Sequence, residues 1–580
     1  MSYVAPLDHL RFLIHVLGRS SSRSDADLVD AVLESAGRFA QQVLAPLNAT
    51  GDRLGAEWSP LGVRAPEGFR EAYERFASDG WPSLSAPAVY GGQDLPQIVV
   101  TAVGELWASA NLAFALCAEA SIGAIEALIH HAAPELRDRY VAKLVSGDWT
   151  STMCLSEPSA GSDLSTVATR AVPHGDGYRL FGRKIYITWG EHDLSANTLH
   201  LVLARLPAAP DGAGGLSLFL VPRFLPGADG SSTVANDIHA VSIERKMGLH
   251  ASPTCVMALG DRAGADGYLI GTPHRGLACM FTMMNVMRLG VALQGGAAAE
   301  RAYQLALAYA KERHQGRDPA GRQTAIVNHA DVRRMLLTMR VLARASRALT
   351  LTAAAVLDAR RAASTNDVQQ QLQARADLLT PVAKAWCSEA GIEAAALGIQ
   401  VHGGMGYVED SGAAQIYRDV RVTSIFEGTN YIQAQDLLSR KVLKDNGRAL
   451  RLLFADYAHL YTEGSLPKPV CAALEDGRAL LDAITVWVNE EAGKDPLLVG
   501  ATAVNYLMLL GYVLGAHLCA QAAAAATAAE AQGIIGAALA REVQEDAEFF
   551  VAYLLPRARM HGEMVRAGSE LLARINPAEL

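Results

Sequence analysis

Apolar residues recur at helical spacing over most of this chain, and one internal region breaks the pattern. The spacing predicts amphipathic helices over Asp27–Leu44, Glu67–Ser78 and Leu112–Ala132. The stretch from Pro87 to Pro96 contains a Gly pair between its prolines and is predicted to be a loop. We therefore expect an N-terminal helical domain over residues 1–148.

The pattern changes at about Trp149, where short runs rich in β-branched and aromatic residues alternate with Gly, Asp and Pro turns. Such runs predict a small β-barrel-like domain over 149–275. Helical spacing returns at Leu277 and predicts a helical bundle domain over 276–445, followed by an extra C-terminal helical domain over 446–580. The expected fold is mainly α with a central β-domain.

One segment of the C-terminal region has no charged side chain from Pro496 to Ala529, which is long enough to span a bilayer. It is rich in Ala and Gly, and it carries Asn505, His517 and Gln521. A helix that faces lipid needs a higher density of Leu, Ile and Phe. We therefore expect a buried bundle helix and no membrane partner.

Composition narrows the classes of partner. Half of the 580 residues are apolar, which suits a globular protein of three or four domains, and the net charge of −9 disfavours nucleic acid and anionic membranes. The seven cysteines are scattered singly, so neither a metal site nor a disulfide framework is predicted. Asp8 and Arg11 interrupt the apolar N-terminus, which disfavours a secretory signal. A cytoplasmic location is the expectation.

Two stretches of the β-region carry candidate ligand-binding groups. In MCLSEPSAGSDLS, Ser156 and Ser162 offer hydroxyls, and glycine leaves backbone N–H groups accessible to a polar ring edge or a phosphate. In KIYIT, strand alternation puts Tyr186 and Thr188 on one face, where an aromatic ring could shield a planar cofactor. Taken alone, the first stretch is more typical of a Ser-rich turn, and the second is far more typical of an ordinary half-buried strand.

Two later stretches add cationic and flexible positions. YAKERHQGR, near a predicted helix end, presents Arg313 and Gln315 as candidates for phosphate and adenine contacts, although a solvated helix end would look similar. In QVHGGMGYVEDSGAAQIYRDVRVTSIFEGTN, which runs from Gln400 to Asn430, the pair Gly403 and Gly404 permits close approach of the backbone to a ligand.

Glu427 is a single acid near the end of this last stretch. Glu427 lies between Phe426 and Gly428, so an apolar neighbour can desolvate the carboxylate and raise its basicity while glycine leaves room for a substrate. An ordinary loop acid is the alternative for this residue taken alone.

The four stretches together, in order and spacing over residues 30–445, resemble the acyl-CoA dehydrogenase family. The segments PAVYGGQDLP, KMGLHASPT and NVMRLG strengthen this resemblance. The N-terminal MSYVAPLDHLRFLIHVLG, the phrase GEHDLSANTLHLVLARLP and the C-terminal extension resemble the subgroup that includes 3-methylmercaptopropionyl-CoA dehydrogenases.

The resemblance implies FAD as cofactor and a set of binding positions. The implied cofactor-binding residues are Met153, Ser156, Ser162, Tyr186, Thr188, Arg313, Gln315, Gln400, Gly403, Gly404, Thr429 and Asn430. The implied substrate-binding residues are Ser162, Asn285, Arg288 and Gly428. Arg313, Gln315, Gln400 and the glycine pair are implied to contact the FAD of a neighbouring subunit, so the resemblance also implies a homo-oligomer, with a homodimer favoured over a tetramer.

The implied reaction is dehydrogenation of an acyl-CoA thioester to the trans-2-enoyl-CoA, as in fatty acid metabolism. Glu427 is the implied base for the α-proton, and the β-hydride passes to flavin N5. Some family members carry the base immediately before the helix arginine, but here Met287 precedes Arg288, which leaves Glu427 as the matched candidate. The implied electron acceptor is an electron-transferring flavoprotein.

Three alternatives stay open or are disfavoured. An acyl-CoA oxidase shares the base and flavin but passes electrons to oxygen, and the sequence separates it poorly from a dehydrogenase. A nitroalkane oxidase resembles this fold but uses Asp as base, which Glu427 disfavours. A non-dehydrogenase flavoprotein with a DNA or protein interaction role is disfavoured for DNA, because acidic residues outnumber basic ones after Asn446.

Overall fold

The computed structural model describes residues 3–18, 26–225, 227, 234–462 and 464–579. The chain forms two compact units, one made of Met1–Gly37, Pro96–Ser109 and Arg288–Leu580, the other of Arg38–Leu95 and Ala110–Met287. We call these the first and the second unit. The predicted division into four sequential domains stays a prediction.

Helices make up most of the described chain. They are α1 Leu7–Leu17, α2 Ala26–Phe39, α3 Ala45–Leu54, α4 Phe69–Ser78, α5 Gln97–Ala110, α6 Leu112–His131, α7 Pro134–Val145, α8 Gly276–Glu312, α9 Ala330–Ala362 and α10 Asn366–His402. They continue with α11 Ala413–Val420, α12 Asn430–Gln435, α13 Arg448–Ala455, α14 His459–Thr462, α15 Lys468–Glu491, α16 Leu498–Ala531, α17 Ala537–Phe549, α18 Pro556–Arg566 and α19 Glu570–Arg574.

The strands concentrate between α7 and α8. They are β1 Glu57–Ser59, β2 Gly62–Arg64, β3 Trp149–Cys154, β4 Arg170–His174, β5 Gly177–Thr188, β6 Asn197–Arg205, β7 Leu216–Pro222, β8 Phe224–Leu225, β9 Val234–Ala235, β10 Ile238–Ile243, β11 Thr254–Leu259, β12 Ala265–Ile270, β13 His314–Arg317 and β14 Gln323–Ala325. The predicted fold class, mainly α with a central β-domain, is confirmed.

The main sheet of the second unit has eight strands in a mixed arrangement. Its order is β10-β11-β5-β12-β7-β6-β3, and β4 pairs with both β5 and β6. The pairing of β3 with β6 is parallel, whereas β6 with β7 is antiparallel. Strand β7 is buried throughout and β6 nearly so, which explains why apolar residues predominate in both.

The end of strand β5 departs from regular alternation. The register of β5 against β11 shifts between the pairs Lys184–Met257 and Ile187–Cys255. Tyr186 has a left-handed backbone, with φ of 60°, and its residue is 63% exposed. A bulge of this kind re-aims side chains at a strand end. The simple alternation assumed from the sequence therefore does not hold through Tyr186.

Close helix contact and buried charge hold the bundle of the first unit. A Cβ at Gly295 of α8 would lie 2.2 Å from the carbonyl oxygen of Cys387 on α10, so only glycine permits this approach. The buried Arg347 of α9 donates to Glu105 at 2.7 Å and to Glu300 at 2.8 Å, and it lies 2.8 Å from His9 Nδ1. This cluster joins α1, α5, α8 and α9.

The C-terminal helices pack directly on that bundle. A Cβ at Gly511 of α16 would lie 2.3 Å from Trp386 Cδ1 on α10, and Arg340 of α9 donates to Asp546 of α17 at 2.8 Å. In the described residues α6, α8 and α16 have the length and apolarity of a membrane span, and 67% of the apolar window of α16 is buried inside the protein. Such burial is what a bundle helix requires.

Candidate active site

Glu427 sits in the loop between α11 and α12, in an unusual backbone conformation. Its φ is 56°, in the left-handed region, and the next residue, Gly428, has φ of 85°. Gln433 Nε2 donates to the carbonyl oxygens of Glu427 at 3.1 Å and of Gly428 at 3.3 Å. A non-glycine residue in this region is uncommon and persists where the surroundings enforce it, often at functional sites. Here the Gln433 amide holds both peptide groups.

The carboxylate of Glu427 is set up to accept a proton. Its Oε2 is buried and has no hydrogen-bond partner among the described residues. Burial raises the pKa of Glu427 to about 7, against the opposing effect of the Arg288 guanidinium and the Lys384 ammonium, because both cations favour the ionised form. A carboxylate with this pKa is a far stronger base than a solvated one.

Lys384 on α10 is a second charged group of this site, and the sequence reading overlooked it. The residue is fully buried, and its Nζ donates to Asn430 Oδ1 at 3.1 Å. Asn430 Nδ2 in turn donates to Glu389 Oε1 at 2.7 Å. Burial lowers the pKa of Lys384 to about 7, although the Glu427 carboxylate opposes this shift. The available signal was a single lysine within the apolar run TPVAKAWCSEAG.

The two residues after Gly428 have structural tasks of their own. The Thr429 side chain caps α12 by accepting from the N–H of Ile432 at 3.3 Å. The Asn430 side chain is occupied with α10, as described above. Their implied role in binding the cofactor stays a prediction.

A cavity of about 490 Å³ lies beside Asn430. Its lining comes from α10, α11, α12, α16 and α18, and it includes Glu389, Ala434, Leu507 and His561. The C-terminal extension therefore packs against the same helices that carry Lys384 and Asn430.

The predicted residues of the third and fourth stretches come together at one end of the first unit. The Tyr309 ring of α8 stacks on the His402 ring of α10, with centroids 4.5 Å apart. This contact brings the C-terminal ends of α8 and α10 together. The predicted residues lie at these ends or just after them. Those residues are Arg313, Gln315, Gln400, Gly403 and Gly404, and all of them are exposed. A Cβ at either glycine would meet open space, and Gly403 has φ of 60°.

The first and second stretches also meet, within the second unit. The N–H of Ile185 on β5 donates to the carbonyl oxygen of Ser156 at 2.9 Å. The buried Lys184 donates to the carbonyl oxygen of Leu155 at 3.0 Å and to Glu157 at 2.7 Å. These bonds fasten the loop after β3 to the end of β5, which carries Tyr186.

The groups on this part of the second unit suit a flat cofactor with polar edges. Tyr186 has an exposed ring and a left-handed backbone conformation. Two half-buried hydroxyl groups lie near it: Thr188 is two residues further along β5, and the backbone of Ser156 is bonded to Ile185 of β5. Met153 is half-buried on β3, and Ser162 is exposed in the following loop. The residue types therefore fit an isoalloxazine ring.

The predicted substrate positions on α8 differ in exposure. Asn285 is exposed and Arg288 is half-buried. Burial lowers the pKa of Arg288, and the carboxylates of Asp436 and Glu427 oppose that shift. Among the described residues, no group of three His, Cys, Asp or Glu side chains is arranged to hold a metal ion.

Comparison with known protein families covers nearly the whole chain. Residues 28–148 match the acyl-CoA dehydrogenase N-terminal domain, residues 152–261 the middle domain and residues 274–442 the C-terminal domain. Residues 454–576 match the domain described as acetyl-CoA dehydrogenase C-terminal like.

Individual relatives agree with these matches. The chain is 41% identical to the 3-methylmercaptopropionyl-CoA dehydrogenase of Ruegeria pomeroyi, over 99% of both chains. Its fold is similar to Caenorhabditis elegans ACDH-11 in complex with C11-CoA, with a TM-score of 0.79 and 22% identity over 99% of this chain and 96% of that one. It is also similar to an acyl-CoA dehydrogenase from Bacillus anthracis complexed with FAD, with a TM-score of 0.76 and 18% identity over 98% and 92% of the chains. The protein is therefore an enzyme of the acyl-CoA dehydrogenase family, whose members depend on FAD.

Proposed function

We propose that this oxidoreductase converts an acyl-CoA thioester to the trans-2-enoyl-CoA, with Glu427 as the base that removes the α-proton. The observation that carries the proposal is the Glu427 carboxylate itself. It has a buried oxygen without a hydrogen-bond partner among the described residues, a pKa near 7 and two cations acting on it. An α-proton of a thioester is only weakly acidic, so its removal requires a strong base that water does not solvate.

FAD is the cofactor of the proposed reaction. Met153, Ser156, Ser162, Tyr186 and Thr188 would hold it through the second unit. The chemistry that FAD supplies when bound is acceptance of the substrate's β-hydride at flavin N5. The exposed group at the ends of α8 and α10 would contact the FAD of a second subunit, which supports a homodimer.

The protein groups have separate tasks in the proposed mechanism. Glu427 takes the α-proton, and its main-chain N–H is the proposed donor to the thioester carbonyl, where negative charge develops. Gly428 leaves space beside the base, and the Gln433 amide fixes the backbone of both residues. Arg288 and Asn285 are the proposed substrate contacts on α8.

The substrate class is proposed from the name of a relative rather than from the geometry of the site. The 41% identical relative is named for 3-methylmercaptopropionyl-CoA, so that thioester is the first candidate. We further propose an electron-transferring flavoprotein as acceptor, a role in fatty acid metabolism and a cytoplasmic location.

Anaerobic titration of the purified holoenzyme tests the proposal. Acyl-CoAs of increasing chain length, together with 3-methylmercaptopropionyl-CoA, are added while the flavin absorbance is followed. We expect at least one thioester to bleach the flavin. Glu427→Gln should keep the yellow cofactor but lose bleaching by about 10²–10⁴-fold in rate, the usual contribution of a positioned base.

A matched control is Glu74→Gln, which changes an exposed glutamate of α4 that is paired with Arg70. It should bleach as the natural protein does. Undiminished bleaching by Glu427→Gln would remove Glu427 from the role of base. Stoichiometric peroxide in aerobic turnover would favour an acyl-CoA oxidase over a dehydrogenase.

A further inference from the structure

We propose that Lys384 is a positioning residue for the base: its ammonium, fixed by Asn430, favours the ionised form of the Glu427 carboxylate. This inference rests on the proposed role of Glu427. Lys384 lies 43 positions before Glu427 in the chain, on helix α10 rather than in the loop that carries the base.

The geometry around Lys384 restricts its ammonium group. The residue is fully buried on α10, and Nζ donates to Asn430 Oδ1 at 3.1 Å. The Asn430 amide is itself oriented, because its Nδ2 donates to Glu389 Oε1 at 2.7 Å and contacts the Ala385 carbonyl oxygen at 3.4 Å. An amide with both ends engaged cannot rotate freely, so it presents its oxygen to the lysine.

The bond to Asn430 places the Lys384 ammonium beside the segment that carries Glu427, which lies three residues before Asn430 in the chain. The neighbouring charges then make Lys384 sensitive to the ionisation state of Glu427. The charged groups that act on Lys384 are Glu427 from the loop before α12, Arg288 from α8 and Glu389 from α10. Those that act on Glu427 are Arg288 and Lys384. Two further groups, Asp436 and Arg440, act on Arg288.

Arg288 and Lys384 both favour the carboxylate, but they differ in one respect. A guanidinium stays charged at every accessible pH, so Arg288 supplies a constant field. A buried ammonium titrates, and burial already lowers the pKa of Lys384 to about 7. When Glu427 takes up a proton and becomes neutral, Lys384 loses its main stabilising anion, so its own proton is held less firmly.

Two substitutions separate this electrostatic role from a purely structural one. Lys384→Met keeps the length and apolar stem of the side chain and removes the charge, whereas Lys384→Arg keeps a cation. Flavin reduction by a bleaching acyl-CoA is measured by anaerobic stopped flow from pH 6 to 9. In the plot of this rate against pH, the ascending limb is the part where the rate rises as Glu427 ionises. For Lys384→Met, this limb should move to higher pH by about one unit or more, as expected when a nearby opposite charge is removed.

That shift corresponds to a loss of about fivefold in rate at pH 7, with recovery at pH 9, because the ionised fraction of Glu427 falls from about a half to about a tenth at pH 7. Lys384→Arg should keep the limb close to that of the natural protein. A loss that is equal at every pH in Lys384→Met would overturn the inference and leave only a packing role.

Ser388→Ala is the matched control, one turn along α10. Ser388 is buried, and its hydroxyl donates to the carbonyl oxygens of Lys384 at 2.6 Å and of Thr423 at 3.1 Å. Its removal disturbs packing on the same helix without changing charge, so the limb should stay in place.

A second measurement does not depend on turnover. The protonated-carboxyl band of Glu427, identified by its loss in Glu427→Gln, is followed by infrared difference spectroscopy against pH. Its midpoint should lie higher in Lys384→Met than in the natural protein, and an unchanged midpoint would contradict the inference. If the natural protein bleaches with an acyl-CoA but no midpoint moves, only the role of Lys384 fails; if no thioester bleaches the flavin, the proposed function fails first.

Discussion

The rate of flavin reduction should rise about tenfold between pH 6 and pH 8, because Glu427 has to be ionised to accept the α-proton. With a pKa of about 7, about one carboxyl in eleven is ionised at pH 6 and about ten in eleven at pH 8. A solvated glutamate would be almost fully ionised over the whole range, and the rate would then be nearly flat. The predicted slope therefore reports the burial of this one side chain.

Three physical effects set the pKa of Glu427, which is the midpoint of this pH profile. Burial disfavours the charged carboxylate and raises the pKa of Glu427, whereas Arg288 and then Lys384 favour it and lower the pKa. Burial is the largest effect, so the net shift is upward. The base is active in its ionised form, so activity is lost as pH falls through 7 and gained as pH rises.

The assay is kcat/KM against pH, because this quantity reports ionisations of the free enzyme. A reoxidising dye in excess keeps the acceptor from limiting the rate. Glu427→Asp should retain an ascending limb with a lower rate, and Glu427→Gln should have no limb. A flat profile in the natural protein between pH 6 and 8 would refute the reasoning, since it would mean that the carboxylate is hydrated.

Two further substitutions test the scaffold of the site. Gly428→Ala should slow flavin reduction at every pH without moving the ascending limb of the pH profile. A left-handed backbone costs a non-glycine residue about 1–2 kcal/mol, and the added Cβ would lie 2.7 Å from Gln433 Nε2. An unchanged rate would show that Gln433 does not hold the base. Arg347→Met should lower the midpoint of the first urea transition by an amount equivalent to about 3–5 kcal/mol, since it leaves Glu105 and Glu300 buried without their cation. Neutralising both glutamates to Gln in that variant should recover most of the loss, and a midpoint equal to that of the natural protein would contradict the assigned role of the cluster.

Much of the fold could be predicted from local pattern. The predicted β-region begins at Trp149, where β3 begins, and the predicted helical return at Leu277 differs by one residue from the start of α8. The short runs rich in apolar, β-branched and aromatic residues fall on strands that include β5, β6, β7 and β11, of which β6, β7 and β11 are mostly buried and β5 is half-buried. Strand β4 was not predicted, because its sequence RAVPH is largely exposed and contains Pro.

The site was predictable only in part, and the reason lies in contacts between distant segments. Glu427 could be singled out because its immediate neighbours and a family resemblance mark it. Lys384 could not, because a lysine in an apolar run gives no indication of which group it faces. The bulge at Tyr186 was also hidden, since it depends on the register against β11.

By itself, the sequence determined the order of helical and β regions, the identity of the family and the single acid suited to be the base, because these depend on residues that are near one another in the chain. Tertiary structure alone decided the strength of that base. The pKa of Glu427 depends on how much water the folded loop excludes and on cations carried by α8 and α10, and distances of a few ångströms between remote segments are not encoded in any local pattern.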